Sequence, residues 1–198
     1  MQKSEAENPL NQKKIIIDLC SGSGSATGIW QSMGYTVYRY DIVGSPRHYT
    51  HLRDLSNPDQ CRQIIHDHRN DDILLIWASP PCTEYSDANK LTYDPEFIPD
   101  TMIWRNCMGI IDGLDPDFWI IENVRGAQRT WGEARQKHGA YYLWGNFPVF
   151  NVFEKIPAKG VRSFRSNIRK SDRARWSAII PLPISLGLYR AIVGQNPL

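Results

Sequence analysis

The sequence predicts an α/β protein with a doubly wound, mostly parallel sheet. Short apolar runs alternate along the chain with segments that can form helices, a pattern typical of strand–helix–strand units. The runs are almost continuously apolar, as expected for strands that helices cover on both faces. The four candidate strands are 14–19 (KIIIDL), 36–41 (TVYRYD), 72–78 (DILLIWA) and 117–122 (DFWIIE).

Helices are predicted between these strands and near the end of the chain. The segment NPDQCRQIIHDHR offers Asn57 as an N-cap and Pro58 at the first helical position. After residue 125 the pattern weakens into aromatic sequence with Gly and Pro. We expect helices at 24–34, 57–69, 100–114 and about 183–193, one further strand near 140–144, and a basic, partly disordered loop at 159–175.

The composition is that of one folded domain. The chain has 198 residues, of which 41% are hydrophobic and 22% charged, enough apolar residues to fill a core. Its four cysteines form no CxxC pair, which favours reduced thiols in a cytoplasmic protein over a disulfide framework or a zinc site. No apolar run could span a bilayer, and the first residues lack the apolar region of a secretory signal.

Charge is distributed unevenly along the chain. Residues 1–124 carry 10 Lys/Arg and 18 Asp/Glu, whereas residues 125–175 carry 12 Lys/Arg and three Asp/Glu. A basic block of this kind indicates a face that contacts a polyanion. The alternative is a solvated basic surface without such a partner.

The residues that end the candidate strands indicate a cofactor pocket, because ligands of doubly wound sheets bind beyond the carboxyl ends of the strands. The first strand runs into DLCSGSGSATG (18–28), whose glycines let backbone approach a ligand. Their GxGxxxG spacing does not favour NAD. Asp41 ends the second strand, where a carboxylate typically accepts from ribose hydroxyls, and Asp54 follows in LRDLS. Together they favour a nucleoside-containing cofactor; separately they could be packing glycines, a strand-end acid and a turn residue.

Two further strand ends indicate covalent catalysis. The run ASPPCTEYS holds Cys82 behind two prolines, which stiffen the backbone and suit a nucleophile more than a buried structural thiol. Glu122 follows Phe-Trp-Ile-Ile, so we expect it to be partly buried with a raised pKa. A thiol and such an acid at one rim fit nucleophilic and general-acid catalysis. No histidine partners Cys82 at motif spacing, and the pair His66 and His68 is spaced poorly for chelation, so we predict no metal site.

Three motifs, in this order, resemble the DNA cytosine-5 methyltransferase family. DLCSGSGS is similar to its S-adenosylmethionine loop, SPPCTEYS to its Pro-Cys motif, and ENV at 122–124 to its Glu-Asn-Val motif. YYLWGNFPVF and AIIPLPISLGLYRAI resemble short viral or prophage members. The resemblance implies a Rossmann-like methyltransferase fold, S-adenosylmethionine as cofactor, and DNA as partner, with no membrane association.

The resemblance also divides the chain. It implies a flexible leader at 1–13, an S-adenosylmethionine-binding catalytic core at 14–126, a reduced, basic, loop-rich region that contacts nucleic acid at 127–182, and a closing helix of the core at 183–198.

The roles of individual residues follow from the family mechanism. Cys82 would attack C6 of cytosine, and Glu122 would hold the N3/N4 edge and protonate N3, so that C5 accepts the methyl group. Pro81 would shape the loop and Asn123 would brace Glu122. The implied cofactor residues are Asp18, Leu19, Cys20, Ser21, Gly22, Gly24, Asp41, Ile42, Asp54, Leu55 and Pro80. The implied substrate residues are Ser79, Pro81, Asn123, Arg125, Arg162 and Arg165, with Arg129, Arg169 and Arg173 as further phosphate contacts.

The chain departs from the family pattern in several places. Thr83 replaces the usual glutamine after the cysteine, and Cys20 replaces the usual aromatic beside the adenine. No Gln-x-Arg-x-Arg motif is found, and the 76 residues after Glu122 leave no room for a full target-recognition domain. We therefore predict relaxed or short-site specificity, or a partner chain or oligomer that supplies recognition elements.

Two other functions stay open at the level of sequence. The substrate could be RNA or a free cytosine nucleotide, although the latter would not need the basic block. The chain could also be a catalytically silent nucleic-acid-binding module of the same fold. Cys82, Glu122 and Asp18 argue against this alternative, because folding alone does not require these three residues.

Overall fold

The computed structural model describes residues 14–86, 94, 96–156 and 179–195. Within these ranges seven strands form one sheet. The predicted leader at 1–13, the basic loop at 159–175 and four of the arginines named above lie outside the described residues: Arg162, Arg165, Arg169 and Arg173. The strands are β1 (Ile15–Leu19), β2 (Thr36–Asp41), β3 (His51–Leu52), β4 (Ile73–Ala78), β5 (Phe118–Asn123), β6 (Gln136–His138) and β7 (Tyr141–Asn146).

The strand order is β3-β2-β1-β4-β5-β7-β6. The first five strands pair in parallel, and β7 runs antiparallel to both β5 and β6. This is the doubly wound order 3-2-1-4-5 followed by an antiparallel hairpin, and its order reverses between β1 and β4. The predicted fold class, a Rossmann-like and mostly parallel α/β sheet, is confirmed.

Helices cover both faces of the sheet. On one face Trp30 of the first helix and Leu188 of the last pack with Ile16 and Trp77. On the other face the two middle helices bury Ile64 and Ile110 against the opposite sides of β1 and β4. Buried aliphatic and aromatic side chains on both faces explain why the central strands read as continuous apolar runs. The helices are α1 (Gly28–Ser32), α2 (Pro58–His68), α3 (Met102–Leu114), α4 (Gln128–Trp131) and α5 (Leu182–Gln195).

The element boundaries differ from the sequence prediction where segments are short or glycine-rich. The helix expected at 24–34 begins only at Gly28, because Gly24 has φ = 69° and the residues around it form turns. The strands β3 and β6, of two and three residues, were not predicted. The strand expected near 140–144 is β7, so part of the predicted 127–182 region belongs to the sheet.

The last helix supports the glycine loop, which we define as residues 20–27. Ser25 Oγ accepts a hydrogen bond from the Ile180 amide at 2.9 Å, and Ser185 Oγ donates to the Ser25 carbonyl at 3.2 Å. The Trp30 ring, which follows the loop, makes an edge-to-face contact with Tyr189, with centroids 5.0 Å apart. The end of the described chain therefore fixes a loop near its beginning.

Candidate active site

Three predicted motifs meet at the carboxyl edge of three neighbouring strands, β1, β4 and β5. The Ser79 amide, just after β4, donates to the Leu19 carbonyl at the end of β1 over 3.1 Å. The Asn123 side-chain amide at the end of β5 donates to the Pro80 carbonyl over 3.0 Å, and this bond is buried. One backbone and one side-chain hydrogen bond thus join the nucleophile loop (residues 79–85) to the end of β1, where the glycine loop begins, and to the Glu-Asn-Val motif.

The glycine loop is held in left-handed backbone conformations. Gly22 and Gly24 have φ = 50° and 69°, and the non-glycine residue Cys20 has φ = 55°. The Gly22 amide donates to Asp41 Oδ2 over 2.8 Å, which ties the loop to the end of β2. A Cβ atom on Gly24 would lie 2.5 Å from His48 Nε2 and 2.9 Å from Arg39 Nε. Both backbone angle and space therefore require glycine at position 24.

Asp18 is a buried carboxyl group beneath this loop, with 1% of its surface exposed. Its Oδ2 accepts from Thr27 Oγ1 at 2.6 Å and lies 3.9 Å from the Nε of the equally buried Arg39. Burial raises the pKa of Asp18 to about 7, although the Thr27 hydrogen bond and the Arg39 charge act in the opposite direction. Desolvation therefore affects the pKa of Asp18 more strongly than the ion pair with Arg39 does.

Asp41 lies where the ribose-binding carboxylate was predicted. Its Oδ2 accepts from Gly22 and its Oδ1 from the Val43 amide at 3.0 Å. The neighbouring Ile42 exposes 66% of its side chain, which offers an apolar surface beside the carboxylate. A planar heteroaromatic ring could pack on such a surface while its sugar contacts Asp41.

The other predicted cofactor residues have local structural roles in the described chain. Asp54 Oδ1 accepts from both the amide and the hydroxyl of Ser56, and these hydrogen bonds lower the pKa of Asp54. This is the turn role that the sequence left open. Leu19 and Leu55 bury their side chains in the core, so any contact of these residues with a cofactor would have to be made by their backbone atoms.

Cys20 contacts a second cysteine. A hydrogen bond between its thiol and that of Cys107, together with burial, raises the pKa of Cys20 well above its ordinary value. Cys107 is fully buried on α3. The residue that replaces the family's aromatic is therefore a neutral thiol packed toward α3.

The residues at the glycine loop fit a cofactor that carries a charged amino end and a nucleoside. Asp18 Oδ1 and Ser21 Oγ are buried and have no hydrogen-bond partner among the described residues. Buried polar atoms left in this state are costly, and a bound group with N–H donors would satisfy them. Together with Asp41 and exposed Ile42, they match the chemistry of S-adenosylmethionine.

The nucleophile loop is stiff at its base and accessible at Cys82. Pro80 is buried, Pro81 is exposed, and Cys82 is half-buried. The Trp77 indole donates to Ser79 Oγ at 2.8 Å, and the Tyr85 amide donates to the Cys82 carbonyl at 3.1 Å. These bonds close a turn around the cysteine, so its thiol is presented by a backbone with little freedom.

Glu122 is 4% exposed at the end of β5, as its sequence context predicted. Burial, with a smaller contribution from the Glu122 charge, raises the pKa of Tyr141 to about 12, which identifies Tyr141 as a neighbour of the acid. The hydrogen bonds seen for Asn123 go to Pro80 and the Val124 amide. The role of Asn123 in bracing Glu122 stays a prediction.

Two of the predicted phosphate-contacting arginines are placed beside this edge of the sheet. Arg125 lies in a 3₁₀ turn directly after the Glu-Asn-Val motif, and Arg129 lies on α4; both are exposed. Within the described ranges no group of three His, Cys, Asp or Glu residues is arranged to hold a metal ion. None of the helices in the described part of the chain could cross a membrane.

Sequence reasoning missed three residues around the site: Thr27, Arg39 and Tyr141. Arg39 could have been noticed as a charged residue inside the apolar strand TVYRYD, and it pairs in register with Asp18. Thr27 and Tyr141 carry no such signal, because each becomes relevant only through a contact formed in the fold.

By its strand order the chain is a Rossmann-like α/β protein, a class whose ligands bind at the carboxyl edge of the sheet. No protein-family model and no curated protein matches the sequence. Among solved structures, a candidate DNA modification methyltransferase encoded within a prophage of E. coli is similar at 23% identity and a TM-score of 0.39, over 60% of this chain. The chain spans about a third (34%) of that protein. At this TM-score the likeness adds nothing to the fold, which is defined by the strand order.

Proposed function

We propose that this chain transfers a methyl group from S-adenosylmethionine to C5 of cytosine in DNA through a covalent bond between Cys82 and C6. The observation that carries the proposal is the buried hydrogen bond from Asn123 to the Pro80 carbonyl. It fixes the loop of a proline-constrained thiol against the strand end that carries a buried glutamate. A nucleophile and an acid brought together beside a glycine loop match the three motifs of the resemblance.

The cofactor would be held by residues of β1, β2 and the glycine loop. Asp18 and Ser21 would receive its amino end, Asp41 its ribose hydroxyls, and Ile42 the face of its adenine. When bound, S-adenosylmethionine supplies an electrophilic methyl group. The chain would position the cofactor, because the hydrogen bond from the Gly22 amide to Asp41 holds the glycine loop beside the end of β2.

Cys82 and Glu122 would activate the cytosine ring together. The Cys82 thiolate forms a bond to C6 while Glu122 delivers a proton to N3, which makes C5 nucleophilic. C5 would then take the methyl group, and cleavage of the S–CH3 bond would leave the cofactor as a neutral thioether. Loss of the C5 proton to water, cleavage of the S–C6 bond and return of the N3 proton to Glu122 would restore the aromatic ring and release Cys82 as a thiolate. Cys82 is only half-buried, so a base extruded from the duplex could approach its thiol.

DNA binding would rely mainly on phosphate contacts. Exposed Arg125 and Arg129 follow the Glu-Asn-Val motif directly, and the basic segment continues beyond them in sequence. Such contacts give affinity without reading the sequence. We therefore expect a short target site.

A covalent trap tests the proposal. The purified protein is incubated with S-adenosylmethionine and a duplex that contains 5-fluorocytosine, whose fluorine cannot leave as a proton. We expect a denaturation-resistant adduct with the intact protein, none with Cys82→Ala, and strongly reduced formation with Glu122→Gln.

The negative outcomes separate the alternatives. DNA binding without an adduct would favour a silent nucleic-acid-binding module. An adduct only on an RNA strand, or turnover of free cytosine nucleotide that salt leaves unchanged, would retain the chemistry and change the substrate.

A further inference from the structure

A pocket of about 180 Å³ lies behind the nucleophile loop, between that loop and the first turn of α3. One wall consists of loop residues and the other of helix residues. The lining residues are Pro80, Pro81, Thr83, Glu84, Tyr85, Asp100, Ile103 and Trp104. The pocket therefore adjoins the reacting group while Cys82 itself lies outside its lining.

The pocket has a rigid aromatic wall. Trp104 stacks on Trp131 with their planes 11° apart and their centroids 5.3 Å apart. Trp131 also meets Tyr85 and Trp144 edge to face. The Tyr85 hydroxyl donates to the Asp100 carbonyl at 3.0 Å, which fixes the second ring. These contacts hold the two aromatic side chains of the lining, Tyr85 and Trp104, in place, and aromatic rings favour stacking with a planar ligand.

The charge of the lining selects the kind of planar ligand. Glu84 and Asp100 are acidic, and none of the lining residues in the described part of the chain is basic. A phosphate would be repelled here, whereas an exocyclic amino group could donate to a carboxylate, as cytosine N4 and adenine N6 do. The chemistry of the pocket thus fits a neutral heteroaromatic ring that carries an amino group.

Volume and position indicate which ring this is. A volume of about 180 Å³ lies below the roughly 300–1,000 Å³ of typical small-molecule sites, so it suits a single base better than a whole nucleoside cofactor. Of the predicted cofactor residues only Pro80 lines the pocket. The glycine loop and Asp41, where we place the cofactor, do not.

We propose that this pocket binds the base next to the target cytosine, and that it prefers a neighbour with an exocyclic amino group. The inference rests on the proposed function, because it uses the position of the pocket beside the nucleophile loop. It gives the chain a means of reading one flanking base without a separate recognition domain.

A kinetic experiment tests the preference. Methyl transfer is measured on duplexes in which the target is the only cytosine without a 5-methyl group, with 5-methylcytosine opposite any guanine or inosine. The duplexes differ only in the base pair next to the target, whose base on the target strand is adenine or purine, or guanine or inosine; the second member of each pair lacks the amino group. We expect kcat/KM to be about tenfold higher for the amino-bearing neighbour on one side of the target. Glu84→Gln and Trp104→Leu should each remove most of this preference, whereas Asp112→Asn on an exposed turn of the same helix should keep it.

A binding experiment separates the pocket from the chemistry. 2-Aminopurine is placed beside the target cytosine, and its fluorescence is followed during titration with protein. Stacking on Trp104 should quench it, and Trp104→Leu should restore at least half of the lost signal while circular dichroism stays native.

The outcomes distinguish failure of the inference from failure of the proposed function. Equal rates for all neighbours and no quenching would overturn the inference. A tenfold weaker affinity of Trp104→Leu for S-adenosylmethionine, with the flanking preference intact, would assign the pocket to the cofactor's adenine and also overturn it. Methylation of no cytosine at all would defeat the proposed function, while the quenching would still test the pocket.

Discussion

Asp18 shows how burial changes the proton affinity of a single residue of the site. Its pKa is raised from an ordinary 3.8 to about 7, so between these values the folded state binds more protons than the unfolded state. Stability must then fall as the pH rises through this window, because stability decreases with pH wherever the native state holds the extra proton.

The prediction is a pH-dependent free energy of unfolding without cofactor. From pH 5 to pH 8 the contribution of Asp18 to stability should fall by about 3 kcal/mol, because each of the two pH units between 5 and about 7 corresponds to about 1.4 kcal/mol. Asp18→Asn should flatten this dependence in urea unfolding curves. Asp54→Asn is the control: the pKa of Asp54 is lowered, so its contribution is lost only toward acid pH. An unchanged slope for Asp18→Asn would contradict the assignment.

Asn123 provides a second prediction at this scale. Asn123→Ala leaves the buried Pro80 carbonyl without its donor, which costs about 1–3 kcal/mol. The rate of adduct formation should fall because the nucleophile loop loses its anchor, while affinity for S-adenosylmethionine should change little. Asn146→Ala removes a comparable but exposed bond to the Asp117 carbonyl, and should stay within about 0.5 kcal/mol of wild type. Equal destabilisation of the two variants would show that the Pro80 bond is unimportant.

Among the elements, the glycine loop depends on the backbone conformation at particular glycines. Replacing Gly24 in the loop and Gly28 directly after it, in turn, shows where the chain requires glycine. Gly24→Ala places a methyl group against His48 and Arg39 in a left-handed conformation that itself costs about 1–2 kcal/mol. We expect a lower free energy of unfolding and weaker cofactor binding by calorimetry. Gly28→Ala meets no atom within 4 Å at the start of α1, so it should be neutral or slightly stabilising. Partial recovery in the double variant Gly24→Ala/His48→Ala would identify the steric part.

The elements also show which patterns in the sequence were informative. The four candidate strands became β1, β2, β4 and β5. Burial on both faces gives a continuous apolar signal in β1, β4 and β5, whereas β2 is only partly buried and its signal is weaker. The two-residue β3 and the three-residue β6 are too short to show a periodic pattern. They form by hydrogen bonding to the backbone of the neighbouring strands β2 and β7. The helix expected from residue 24 was too long because the propensity of the segment was outweighed by the left-handed turn at Gly24.

At the scale of the whole molecule, the uneven charge predicts how DNA binding responds to salt. Each phosphate contact contributes about −0.9 to the slope of log K against log salt concentration. Replacing exposed Arg125 and Arg129 together by Gln should therefore reduce the slope by about two in fluorescence anisotropy titrations. Arg62→Gln is a matched control, because this exposed arginine pairs with Asp59 on α2. A slope that is the same in all three proteins would place the DNA elsewhere.

The topology of the whole molecule also explains why the candidate site residues lie at one edge of the sheet. Strand alternation was sufficient to bring Asp18, Cys82 and Glu122 to one edge, since parallel strands end together. The ties that hold the edge, such as Asn123 with Pro80 and Thr27 with Asp18, involve ordinary polar residues whose partners are set only by the folded topology. For the same reason the pocket at Trp104 left no trace in the sequence, because its walls come from two separate segments.

The support of the glycine loop by the last helix has a consequence for the time course of synthesis. Ser25 and Ile180 are 155 positions apart, and at 5–20 residues per second a ribosome needs roughly 10–30 s to pass from one to the other. Throughout that interval the nascent chain already carries Asp18 and, later, Cys82 and Glu122, but the loop lacks its final brace. A chain interrupted before residue 180 would lack both hydrogen bonds that join Ser25 to Ile180 and Ser185, so the glycine loop would reach its final shape only after this segment has been synthesised.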